Sequence, residues 1–214
     1  PDKPVFVYQH GISNHYKPRK RKLSKDRPFT FLFMGEPQSR KDGQMVAETF
    51  IKLYGNNPDY RLIIKATHTS TITVTDPNVR NVQNAVTGTP DFFYDNIVTY
   101  TKMLSPDMML QLYDEADVFL YPSWGEGWGF NPMQALALGI PTISTCIWAD
   151  YAEYITVPID SYLHQSPWPD LHPGQMFKPD RRQFEEAMRF VVENYDNLSS
   201  QAFKNAFKIH EMYN

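Results

Sequence analysis

The chain has 214 residues, 42% of them hydrophobic and 21% charged, with a formal net charge of -3. That is enough for one sizeable core but not for two full-size domains, and the balance gives no global pull toward nucleic acid or membrane. No apolar run approaches the ~18 residues a membrane helix needs, no secretory signal pattern is present, and the single cysteine, Cys146, excludes an internal disulfide.

In chain order, "VFVYQHGIS" predicts a short strand over 5–9 and a turn at Gly11. Residues 17–27, opening on Lys17 and closing on Arg27, hold seven Lys/Arg against one Asp. Such a run reads as a solvated segment, or as a contact for an anionic surface or partner. Residues 1–28 therefore read as a linker or lead-in and 29–214 as one domain.

"FTFLFMG" is a continuous apolar run closed by Gly35, the pattern of a strand buried on both faces. In "GQMVAETFIKLYG", Met45, Val46, Thr49, Phe50 and Leu53 fall at helical spacing before Gly55. "YRLIIKAT" (60–67) and "NIVTYT" (96–101) read as strands. "SPDMMLQLYDEA" is a helix with Ser105 as N-cap and Pro106 at its first position. "DVFLYPS", "NPMQALALG" and "IPTIST" then give strand, helix and strand, with Asn131 expected to cap that helix and Gly139 to end it. Prolines at 158, 167, 169, 173 and 179 mark 156–179 as a long loop. Two helices close the chain, one after Asp180 and one after Ser199 or Ser200. This alternation predicts an α/β fold, a Rossmann-like doubly wound parallel sheet with helices on both faces.

Ligands of such sheets bind at the carboxyl ends of the strands. Two strand ends carry unusual residues. In "GEPQSRKDG", Gly35 permits a tight turn, and Arg40 and Lys41 bring cations to the start of a helix, where free N–H groups favour phosphate. The alternative is a charged loop that merely precedes a helix. In "YPSWGEGWGFNPMQALALG", Gly125, Gly127 and Gly129 free the backbone beside one carboxylate, Glu126. Backbone N–H groups there suit phosphate or sugar oxygens, and Glu126 would accept from hydroxyls; the alternative is a glycine-rich turn with a solvated Glu. The six histidines show no metal-ligand spacing, Ser123 lacks the context of a hydrolase nucleophile, and Cys146 reads as a small buried residue.

"PSWGEGWGFNPMQALALGIPTIST" resembles the C-terminal-domain signature of retaining GT-B glycosyltransferases, the large group 1 (family 4) class. Pro122, Ser123, Glu126, Gly127, Trp128, Gly129, Ala135, Gly139 and Pro141 fall in register with it. "FLFMGEPQSRKDG" is similar to that family's phosphate loop, with Gly35 and Lys41 in place. "MLQLYDEADVFLYPS" resembles its lead into the motif, "ADYAEYI" puts Glu153 near a family glutamate, and "GQMFKPD" resembles its closing stretch. The resemblance implies the donor-binding half of a GT-B fold and a retaining hexosyltransferase using a nucleotide-diphosphate sugar, with UDP and GDP sugars the candidates and no metal or other cofactor required. By analogy Glu126, Lys41 and Arg40 carry the chemistry. Gly35, Ser123, Gly127, Trp128, Gly129, Phe130 and Gln134 line the donor site, and Lys102, Met103 and Leu104 face the base. The implied partners are the donor, an acceptor left open among glycan, lipid and nucleic acid, and an N-terminal acceptor domain outside this chain, which opens on Pro1. Without that domain the chain is expected to transfer little or nothing. A cytoplasmic location is expected, with attachment at a membrane surface left open.

Two departures stand out. Gln134 occupies the second position of the family's paired glutamates, whose carboxylate typically grips the ribose, and a glutamine lacks the charge-assisted bond. Glu36 stands where the family usually has Arg. Gln134 leaves open a non-catalytic nucleotide-sugar or polyanion-binding module; a flavodoxin-like or other Rossmann-type domain is the remaining alternative.

Overall fold

The structure is a computed structural model and describes residues 3, 4, 6, 8–35, 40–66, 94–145 and 147–213. Its centre is a parallel sheet of β1 (Phe29–Met34), β2 (Tyr60–Lys65), β3 (Ile97–Tyr100), β4 (Val118–Tyr121), β5 (Thr142–Thr145) and β6 (Val157–Ile159). The strand order is β3-β2-β1-β4-β5-β6. The chain winds outward from β1 in one direction and restarts at β4 on its other side. The crevice between the carboxyl ends of β1 and β4 is therefore the topological switch point, where open α/β sheets bind ligands.

The apolar runs are continuous because both sheet faces are covered. On one face Phe31, Phe33, Leu120 and Ile143 pack against α1 (Gly43–Tyr54) and α4 (Arg181–Glu193). On the other, Leu32, Met34, Phe119 and Tyr121 meet α2 (Pro106–Glu115) and α3 (Phe130–Ala137). Successive residues of one strand thus feed opposite cores, as the two-residue period requires. The chain closes with α5 (Tyr195–Tyr213).

Several expectations are corrected. Phe6, Tyr8 and Gln9 lie in no strand, while Val5 and Val7 fall outside the described residues. The expected loop over 156–179 contains β6 and an antiparallel hairpin, β7 (Ser161–Gln165) with β8 (Gln175–Pro179). Pro158 is tolerated because β6 is an edge strand and Pro158 points to solvent. The last helix starts at Tyr195, directly after Asn194 ends α4, because Asn194 Nδ2 donates to Phe190 O at 2.9 Å and closes the final turn. The N-cap of α3 is Gly129, at φ 79, not Asn131, whose side chain instead donates to Met34 O at 3.4 Å. Ser105 and Asp180 cap α2 and α4 as read from the sequence.

The basic lead-in is solvated at its lysines but anchored at its arginines. Arg27 makes a two-pronged bond to the buried Asp117, at 2.6 and 2.7 Å. Arg21 donates to the carbonyls of Tyr113 and Ala116, at 2.9 and 3.1 Å, and both Arg19 and Arg21 pair with Asp114. Lys17, Lys20, Lys22 and Lys25 remain exposed. The lead-in also clasps the last helix: Ile12 N donates to Tyr213 O at 2.6 Å, and Ser199 Oγ donates to Arg21 O at 3.1 Å.

Candidate functional site

Glu126 sits in the turn that leaves β4 at the switch point. Its Oε2 accepts from Arg40 Nη2 at 2.9 Å. Its Oε1 accepts from Ser123 Oγ at 2.8 Å and Tyr121 Oη at 3.0 Å, and lies 2.5 Å from Lys41 Nζ. Lys41 also donates to Tyr121 Oη. Burial works against ionising Glu126, but Lys41, Ser123 and Arg40 outweigh it and hold the carboxyl below the usual range. Burial lowers the Lys41 ammonium, and Glu126 restores part of the loss. Burial first, and Glu126 second, keep the Tyr121 phenol neutral far above physiological pH.

The backbone fixes this arrangement. Trp124 N donates to Arg40 O at 2.8 Å and Trp124 Nε1 to Asp42 at 2.9 Å, so the two site loops are stitched together. Arg40 Nε donates to Gly125 O at 2.8 Å. Phe177 N, on β8, donates to Trp124 O at 2.9 Å, and the rings of His164 and Trp168 pack on Trp124. Asp42 caps α1 through Met45 N, so that helix end is already served, and the phosphate expectation there falls to Arg40 and Lys41. The start of α3 differs: Gly129 offers no side-chain cap, and among the described residues the N–H groups of Trp128, Gly129 and Phe130 donate to no protein acceptor. A Cβ at Gly129 would lie 2.4 Å from Tyr151 Oη and 2.8 Å from the Trp148 ring, so only glycine fits. Gly127 faces open space, with nothing within 4 Å of a built Cβ.

A pocket of about 300 Å3 adjoins this cradle, lined by Gly35, Lys65, Met103, Leu104, Met109 and Asn131 among others. Gly35, Met103 and Leu104 thus meet in one place, whereas Lys102 is exposed outside that lining. The Trp128 ring turns away, onto Tyr151 and Tyr213, with His10 against its edge at 5.3 Å. His10 also packs on the exposed Phe130, at 5.0 Å. Gln134, one turn along α3 from Asn131, accepts from the buried Tyr113 hydroxyl at 3.0 Å. Glu153 is exposed on the 3₁₀ turn Ala152–Tyr154. Glu36, His68 and Cys146 lie outside the described residues.

Sequence reading missed Tyr121, the hydroxyl bridging Lys41 and Glu126. It also missed Lys65, whose buried ammonium donates to Ala66 O at 2.6 Å in the pocket wall. A lysine ending an apolar strand, "LIIKA", was the available signal. Among the described residues no cluster of His, Cys, Asp and Glu could hold a metal ion, and no helix is long and apolar enough to cross a membrane.

The family model "Glycosyl transferases group 1" matches residues 28–166, more than half of the chain. The chain belongs to the group 1 glycosyl transferases. The C-terminal domain of a group 1 glycosyl transferase from Francisella tularensis superposes with a TM-score of 0.58 at 15% identity, covering 92% of this chain and 95% of that one. Sucrose-phosphate synthase from Thermosynechococcus elongatus gives 0.61 at 16%, covering 95% of this chain and 47% of that one. The pneumococcal O-GlcNAc transferase GtfA, solved with UDP and GlcNAc, gives 0.55 at 17%, covering 95% and 35%. The group 1 chain described here thus has the fold of a GT-B C-terminal domain and spans less than half of the two longer chains. Comparison with curated protein sequences gives no match.

Proposed function

We propose that this domain binds the nucleotide-diphosphate sugar of a retaining hexosyltransferase. The observation that carries the reading is the charge arrangement at the switch point: Glu126 with Arg40 at 2.9 Å and Lys41 at 2.5 Å, beside the uncapped start of α3. In this reading Arg40 and Lys41 stabilise the departing diphosphate as its charge builds, aided by the N–H groups of Trp128, Gly129 and Phe130. Glu126 and Ser123 orient the sugar hydroxyls. The pocket lined by Gly35, Met103 and Leu104 takes the nucleoside, and Gln134 lies toward the ribose. The cations and the helix end together neutralise a diphosphate, so the reaction needs no metal. UDP bound to the pneumococcal relative makes a uridine donor the first to test. The acceptor is a glycan, lipid or nucleic acid engaged by a further domain, without which this chain transfers little, and the reaction is placed in the cytoplasm. The exposed lysines of the lead-in would add affinity for an anionic acceptor surface.

The test is transfer and donor hydrolysis by the full-length protein, wild type against Glu126→Ala. Loss of turnover in the variant supports the reading; equal rates would remove Glu126 from the chemistry. Donor binding without turnover in the wild type would favour a binding module, the reading that Gln134 keeps open.

A further inference from the structure

Glu126 is saturated by its own protein. Its side chain is 6% exposed, Oε1 faces three donors from Ser123, Tyr121 and Lys41, and Oε2 takes Arg40. The two cations offered to a diphosphate are the same two that neutralise this carboxylate. Any anion that draws Arg40 and Lys41 toward itself draws them from Glu126. A carboxylate this buried is costly to leave without compensation.

We infer that Glu126 is a specificity determinant that favours sugar-linked diphosphates over bare ones. The inference rests on the donor-site reading above. A sugar nucleotide brings both halves of the exchange: its diphosphate takes the cations, and its sugar hydroxyls donate to the carboxylate they leave. A bare nucleoside diphosphate or pyrophosphate brings only the first half and strands Glu126. The carboxylate thus acts as a tethered competitor for the diphosphate position, displaced at low cost only by a ligand whose diphosphate bears a sugar with hydroxyls on its far side. The same contact weakens the hold on the nucleoside diphosphate left after transfer. Of the charges nearby among the described residues, Asp42 is bound to Trp124 and the start of α1, Lys178 lies over the Trp124 ring, and Lys65 faces the adjoining pocket.

The experiment is isothermal titration of the whole chain with inorganic pyrophosphate, with UDP, GDP and ADP, and with UDP-glucose, GDP-mannose and ADP-glucose. Wild type, Glu126→Gln and Lys41→Ala are compared. Glutamine keeps the shape and removes the charge. Glu126→Gln should bind pyrophosphate and the preferred nucleoside diphosphate about tenfold more tightly, the scale of one close charge interaction. It should bind the sugar nucleotide no more tightly. Pyrophosphate binding that depends on Lys41 but is unchanged or weaker in Glu126→Gln overturns this inference and leaves the donor-site reading standing. No binding of any probe by wild type overturns both. If Glu126→Gln does not fold, the ¹³C titration of the Glu126 carboxyl in wild type decides. Saturating pyrophosphate should raise its midpoint, and an unmoved midpoint overturns the inference.

Discussion

The stem of Lys41 lies where a side chain at residue 35 would have to go. A Cβ built on Gly35 would sit 2.8 Å from Lys41 Cγ and 3.0 Å from Lys41 Cβ. Gly35→Ala should therefore displace Lys41 rather than unfold the sheet. The expected outcome is a fall in nucleoside diphosphate affinity of about tenfold, with stability reduced by only about 1–2 kcal/mol. Calorimetric titration and thermal melting of the same sample check both halves.

Arg27 ties the lead-in to the buried Asp117, which also accepts from Thr30 N at 2.8 Å. Arg27→Ala leaves that carboxylate without its cation and should cost about 2–4 kcal/mol. Lys22→Ala, on the same segment but exposed, should stay within about 0.5 kcal/mol of wild type. Urea unfolding distinguishes the two, and equal effects would return the segment to a solvated run.

Glu126 gives the pH signature of its site. Its carboxyl is held below the ordinary value of 4.5 in the folded chain. The unfolded state therefore takes up protons first, so the stabilisation is complete above the ordinary value and is lost as pH falls through the lower folded one. The stability gap between wild type and Glu126→Gln should be constant well above the ordinary carboxyl value and shrink as pH falls through that value toward the lower folded one. Denaturant midpoints across that range provide the measurement.

Tyr113, wholly buried, orients Gln134 through its hydroxyl. A glutamate at 134 keeps that bond and, on the donor-site proposal, adds charge toward the ribose. Gln134→Glu should tighten donor binding about threefold to tenfold if the glutamine weakens the ribose grip. Tyr113→Phe should instead cost about 1 kcal/mol of stability and loosen donor binding modestly. An unchanged donor affinity in Gln134→Glu would mean that the glutamine serves as well as a carboxylate.

The sheet was legible because its strands announce themselves: Phe29–Met34 is apolar but for Thr30, and Leu62–Ile64 is an apolar centre between Arg61 and Lys65, as burial on both faces demands. The cradle was legible at Glu126, Arg40 and Lys41 because glycines and lone charges at strand ends have few structural uses. What was hidden depends on partners distant in sequence. Arg27 meets Asp117 across 90 residues, and no local pattern separates such an arginine from a solvated one. The β7–β8 hairpin was hidden because β7 is exposed over its last four residues and shows no buried alternation. Its hold on the domain comes through Trp124, by Phe177 N and the His164 ring. Tyr121 fell inside the strand run "DVFLYPS", and its ring is buried core; only its hydroxyl belongs to the site.

The last helix reaches the cradle twice, once directly through the Tyr213 ring on Trp128 and once through the lead-in it holds. By gripping residues 12 and 21, α5 aims the incoming chain so that His10 settles on Trp128 and Phe130. The last helix thus acts as a fairlead for the lead-in. Loosening α5 at Tyr213 should therefore be felt first as a loosened aromatic roof over the start of α3, through Trp128 and through His10.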